Sequence, residues 1–276
     1  MAEWRAGRQP RHVVDFHTHA FPEKVAARAV AALTATYHVS PVAEPTIPGL
    51  LDHMDRSGVD VSVVAPVATR ADQVRSINTW AAEAGNAGVV CFGALHPELE
   101  DPAAEVERII SLGLKGVKCQ PNFQRFAPDD PRMLPAYEAA QGRLVMLFHS
   151  GQEIAPLERV WAQPEALGRV HQVFPRLAMV VAHFGGYLMW EQARRHLIGR
   201  EVYLDISYCA PGGLGEAEMR DQIRAHGVER VLFGSDFPWG DPGEELARLC
   251  RLGLEVEELE AVAWRNAQRL LGLAMA

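Results

Sequence analysis

The sequence predicts an α/β protein, a (β/α)8 TIM barrel with a helical insertion after strand 1, and three observations carry that prediction. Eight runs rich in Val, Ile, Leu and Phe begin near Val13, Val61, Val89, Lys115, Leu144, Ala178, Val202 and Arg230, and after the first their starts lie 24 to 34 residues apart. The runs are apolar without alternation, as strands buried on both faces of a parallel sheet must be. Between them lie amphipathic stretches, 72–84, 102–112, 134–141 and 164–173, that read as helices. Strand and helix alternating eight times is the arithmetic of this barrel.

Each element follows in order. Strand 1 is VVDF. The long interval 21–60 holds a helix over 23–37, a turn region with Pro41, Pro45 and Pro48, and a second helix over 49–57. It reads as an insertion at the barrel mouth, where substrate loops sit. The closing stretch 256–273 reads as the eighth helix, its LLGL lying on the barrel wall. Residues 1–11 read as a flexible N-terminal segment and 12–276 as one domain. A doubly wound open sheet is the competing architecture, but no GxGxxG follows the first strand to favour it.

Composition narrows the function classes. Of 276 residues, 48% are apolar and 22% charged, and the formal charge is −8, so the chain has ample surface to bury and is not disordered. Apolar runs such as LVMLF fall far short of the roughly 20 residues that cross a bilayer. A negative chain without a basic tract is a poor nucleic-acid binder. The four cysteines, Cys91, Cys119, Cys209 and Cys250, form no CxxC pair, which argues against a zinc ribbon or a disulfide framework. With no secretory signal in residues 1–10, a reducing cytoplasm and buried thiols are the expectation.

The residues capable of chemistry fall in one place. His17 and His19 follow VVDF, His149 follows LVMLF, His183 follows MVVA, and Asp236 follows VLFGS. All sit at C-terminal strand ends, the face on which barrels build active sites. His17 and His19, two apart, project from the same side of a strand about 6.6 Å from each other at the backbone. An HxH pair alone is a weak signal. Joined by a further strand-end histidine and a strand-end aspartate, it points to a bound metal. Imidazole and carboxylate ligands suit Zn2+ and also admit Mn2+, Fe2+ or Co2+.

The D-x-H-x-H start (Asp15, His17, His19), the histidines of LFHSG and VVAHFGG, and the GSDFPW ending resemble the amidohydrolase superfamily. The nearer likeness is to its amidohydrolase-related branch, with aminocarboxymuconate semialdehyde decarboxylase, resorcylate-type decarboxylases and pyrone dicarboxylate lactonase. It runs from about residue 12 to 273. The resemblance implies that His17, His19, His149 and Asp236 hold one divalent metal, and that His183 and Asp236 are catalytic. Lys118, in KGVKCQP, stands where some binuclear relatives carry a carboxylated lysine bridging two metals. A second metal is expected only if Lys118 is so modified. Otherwise Lys118 reads as a substrate contact or a structural ion pair. Arg70, Arg125 and Trp239 are further candidates for the substrate pocket, each also readable as loop charge or packing. His96 reads as a loop histidine. The resemblance also favours a homodimer.

Three readings of function compete. The leading one is a metal-dependent hydrolase in which activated water attacks an amide, ester or lactone bond of a small carboxylated substrate. The second is a non-oxidative decarboxylase on the same scaffold. The third is a non-catalytic metal or metabolite binder. Nearly identical ligands serve the first two, so ligand identity does not separate them.

Overall fold

The computed structural model describes residues 9–155 and 157–275. Of the expected N-terminal segment, residues 1–8 lie outside the described residues, whereas Arg11 donates its amide to Glu260 Oε1 at 2.7 Å. The strands are β1 (Val14–Thr18), β2 (Val61–Val64), β3 (Val89–Cys91), β4 (Gly93–Ala94), β5 (Gly116–Cys119), β6 (Val145–Phe148), β7 (Ala178–Val181), β8 (Tyr203–Asp205) and β9 (Val231–Leu232). All eight expected runs form strands. The third is broken into β3 and β4 at Phe92. Among the described residues, those of 9–63 with 205–275 form one compact unit and those of 64–204 a second. No helix of the described residues is long and apolar enough to cross a membrane.

In the second unit β4 to β8 pair in chain order, all parallel, with Gly116 opposite Val145 and Val145 opposite Ala178. β5 and β6 are buried at every position, which explains their unbroken apolar sequence. Helices alternate with them: Val74–Ala84, Pro102–Ser111, Leu134–Ala140 and Pro164–Val173. Each of the last three carries proline in its first turn, where a missing N–H costs nothing. Asp101 caps the second of the four, accepting from the Ala104 amide at 2.9 Å. Tyr137 packs its ring edge-on against Phe148 and Phe174, joining helix to strand. At the strand break, the Phe92 amide reaches Val64 O at 2.9 Å. The Phe92 ring lies over Gly116, where an added Cβ would meet it at 2.6 Å. Glycine at 116 is what lets that ring in.

In the first unit β1 has partners on both sides. Val61 N bonds Val13 O at 3.3 Å, while Phe16 N bonds Phe233 O at 2.9 Å and Asp236 N bonds His17 O at 2.8 Å. The first strand and the last are thus hydrogen-bonded to each other, and β1 has no free edge. The expected insertion forms Glu23–Tyr37 and Ile47–Ser57, the latter capped by Thr46 and stopped by left-handed Gly58. The expected final helix is not continuous. Val256–Glu260 and Asn266–Leu271 flank a π-helical turn at Ala261–Arg265. Trp264 Nε1 donates to Glu260 Oε2 at 2.7 Å within it.

Candidate metal centre

Two clusters of polar side chains stand at C-terminal strand ends, one in each unit. In the first unit His17 is the penultimate residue of β1, His19 follows the strand, and Asp236 lies four residues beyond β9. Asp236 Oδ1 is 3.1 Å from His19 Nε2 and 3.5 Å from His17 Nε2. Ligands bound at about 2.0–2.1 Å around a tetrahedral ion sit roughly 3.3 Å apart. Both carboxylate–imidazole distances are near that spacing, and the three donor atoms, all within 4.8 Å of one another, form a candidate metal group.

The protonation of His17 is set from behind. Its Nδ1 lies 3.0 Å from Asp205 Oδ2 and 3.0 Å from Ser207 Oγ, and His17, Asp205 and Ser207 are all buried. A carboxylate only accepts, so Nδ1 carries the hydrogen, and in the neutral ring Nε2 keeps its lone pair for a cation. Asp205 Oδ1 takes the Ser207 hydroxyl at 2.5 Å and amide at 3.1 Å. Asp15 performs a backbone task. Its carboxylate accepts the Ser235 amide at 2.9 Å and hydroxyl at 2.5 Å, fixing the loop that carries Asp236. Burial pushes the Asp15 carboxyl up to about 7, against the lowering effect of the Ser235 and His17 hydrogen bonds.

In the second unit His149 follows β6 and His183 follows β7. Their rings meet edge to face with centroids 4.8 Å apart, and His183 Nε2 is 3.0 Å from His149 Nδ1. The other nitrogen of His149, Nε2, is 3.0 Å from Glu153 Oε1 and 3.1 Å from Gln152 O. Burial resists ionisation of Glu153, but His149 and hydrogen bonds from Gln120 and Asn122 overcome it and hold the carboxyl below its ordinary value. Asn122 ties the segment after His149 together. It donates to Gly151 O at 3.0 Å and accepts from the Trp161 and Ala162 amides at 2.8 and 3.0 Å. Tyr187 stands edge-on to His183 at 6.0 Å and Trp190 edge-on to Tyr187 at 6.1 Å.

The expected substrate contacts are distributed unevenly. Lys118 is 1% exposed, in register with Leu147 of β6. Arg70 is exposed and forks around Asp72 at 3.0 Å, and Arg125 is an exposed, left-handed helix cap. Trp239 is half-buried beside the Asp236 carbonyl, to which its amide donates at 2.9 Å. His96 is buried, which pulls its pKa down, and its Nδ1 accepts from the Glu98 amide. All four cysteines are free thiols, three of them buried. Sequence reasoning missed Asp205, Ser207, Glu153, Gln120 and Asn122. The strand-end rule that selected Asp236 applies equally to Asp205 in VYLDIS. Nothing comparable marks the others.

Comparison with known proteins places this geometry. No protein of curated function is similar enough in sequence to match. An uncharacterised TIM-barrel protein from Bordetella bronchiseptica superposes with a TM-score of 0.72 at 20% identity, over 95% of this chain and 99% of that one. A 5-carboxyvanillate decarboxylase from Novosphingobium aromaticivorans, complexed with manganese and 4-hydroxy-3-methoxy-5-nitrobenzoic acid, gives 0.72 at 16% identity, over 95% and 96%. A 2,6-dihydroxybenzoate decarboxylase complexed with 2,6-dihydroxybenzoate gives 0.69 at 18%, over 96% and 100%. At these identities the likeness establishes the fold, which is the α/β TIM barrel expected from the strand and helix alternation. The amidohydrolase family model matches residues 14–273, from the first residue of β1 to two residues past the last helix. With that match running through both histidine clusters and the aspartate, the chain belongs to the amidohydrolase family.

Proposed function

We propose that this enzyme is a divalent-metal-dependent, non-oxidative decarboxylase of a small ring-bearing carboxylate. The observation that carries the reading is the chain-long likeness to solved decarboxylases of two different hydroxybenzoates, one with manganese bound. In this reading His17, His19 and Asp236 hold the ion, with His149 as a further ligand, and the donor spacing of the first three supports it. A divalent ion held there would supply positive charge that attracts a carboxylate substrate. Lys118, buried on β5, is the proposed further contact for the substrate carboxylate. His183 supplies the proton. As the bond between ring carbon and carboxylate breaks, its electron pair stays on the ring carbon and takes that proton, and carbon dioxide leaves. Manganese and zinc both fit the ligands, so the proposal names a divalent ion and leaves its identity to metal analysis.

Hydrolysis, the leading expectation from sequence, is kept as a second reading by one observation. Asp236 Oδ1 stands between two imidazole nitrogens, where a carboxylate can also take a proton from water. The product separates the two. Metal-loaded protein is incubated with hydroxybenzoates, and in parallel with aryl amides, esters and lactones bearing a carboxylate. Carbon dioxide release with a ring C–H formed is the expected outcome. Net addition of water, with no carbon dioxide from any substrate, would return the reading to hydrolysis.

A further inference from the structure

We propose that Glu153 is a positioning residue for His149, a buried carboxylate that fixes which ring nitrogen donates electrons and strengthens that donation. The inference rests on the reading of His149 as a metal ligand and extends it to a residue outside the ligand set.

Three donors converge on a single oxygen of Glu153. His149 Nε2 lies 3.0 Å from Oε1, Gln120 Nε2 2.9 Å and Asn122 Nδ2 2.8 Å. Neither amide is free to turn around. Gln120 Oε1 is already taken by the Asn122 amide at 3.0 Å, and Asn122 Oδ1 by the Trp161 and Ala162 amides. Both side chains must therefore present NH2 groups to Glu153. A carboxylate receiving those donors is an acceptor, and Gln152 O beside it is an acceptor too. Flanked by two acceptors, His149 Nε2 carries the hydrogen, and Nδ1 is left with its lone pair, directed at His183 Nε2. Negative charge on the N–H side of an imidazole raises the basicity of its other nitrogen. The bonds of Asn122 to Gly151, Trp161, Ala162 and Glu153 itself need only donor amides and acceptor oxygens, and none needs a charge on Glu153. Its charge is the part left to explain.

Glu153→Gln removes that charge while keeping an acceptor oxygen. The dissociation constant for Mn2+ is measured on metal-stripped wild type, Glu153→Gln and His149→Ala by competition with a chromophoric chelator. The visible spectrum of each Co2+-loaded protein is recorded alongside. Glu153→Gln is expected to bind about 10–100-fold more weakly, with shifted cobalt bands and unchanged thermal unfolding of the metal-free form. Weaker binding in His149→Ala with wild-type binding and cobalt bands in Glu153→Gln would overturn the inference and leave His149 a ligand. Wild-type binding in His149→Ala would overturn the ligand reading and the inference with it. Nitrogen-15 NMR of histidine in metal-free wild type checks the geometry without any variant. A hydrogen on His149 Nε2 is expected, and a ring carrying its hydrogen on Nδ1 alone would refute the orientation.

Discussion

Glu245 stands on the inner side of the helix Pro242–Arg251 and is 6% exposed. Burial raises its carboxyl pKa from the usual 4.5 to about 7; the charges of Glu244 and Asp236 add to the rise, and Arg248, 3.6 Å away, opposes it. Between pH 4.5 and about 7 the folded chain keeps a proton that the unfolded chain has lost, so Glu245 costs stability progressively as pH rises through that window. Above it the loss is complete and flat. At about 1.4 kcal/mol per pH unit, it amounts to about 3 kcal/mol. Glu245→Gln stays neutral throughout. It should match wild type near pH 4.5 and exceed it by up to about 3 kcal/mol at pH 8. Its backbone amide bonds Asp241 O in either form, so the helix itself is not disturbed. Urea unfolding of metal-free protein at pH 4.5, 6 and 8 measures the difference, with chelator present so that no cation alters the Asp236 charge. A constant offset between the two proteins across that range, or a less stable Gln variant at pH 8, would refute the reasoning.

Three further outcomes are expected. His183→Asn should keep most of its metal by elemental analysis while losing on the order of 100-fold in turnover; loss of metal together with activity would make His183 a ligand. Asp205→Asn should weaken metal binding about 10–100-fold, because one Asp205 oxygen faces the His17 hydrogen and the other faces two Ser207 donors, and an amide can accept on only one side. An unchanged dissociation constant would show that His17 needs no carboxylate behind it. Gly151→Ala should destabilise the protein on the order of 3 kcal/mol by urea titration, since Gly151 has φ of 90° and an added Cβ would meet the Tyr187 backbone nitrogen at 2.3 Å.

What the sequence made legible follows from periodicity and punctuation. Pro164–Val173 and Glu23–Tyr37 form over the residues expected, each preceded or opened by a proline that marks its start. Strand ends were legible because a polar residue after an apolar run is a local signal, and His17, His19, His149, His183 and Asp236 all carry it. The break at Phe92 was not, because it depends on a glycine 24 residues later making room for the ring. The π-helical turn at Ala261–Arg265 was hidden within an uninterrupted helical pattern. Gln120, Asn122 and Glu153 were missed for a different reason. Their roles exist only as hydrogen bonds among loops, and polar loop residues look alike until they are folded.

Two of the residues proposed for the site, one as proton donor and one as metal ligand, adopt an awkward backbone. His183 and Asp236 sit at φ of 54° and 64°, and Phe184 at 50° with its ring fully buried. Aspartate and histidine tolerate this left-handed region better than most residues, yet it still costs about 1 kcal/mol or more at each. Glycine would pay no such penalty there. If the proposed roles hold, thermal stability and chemistry pull in opposite directions at positions 183 and 236. A library sorted only for heat resistance should accumulate glycine at both, and the firmer barrel is expected to have lost turnover. Selection for stability in this chain has to be run with turnover as a second criterion, or with those two positions held fixed.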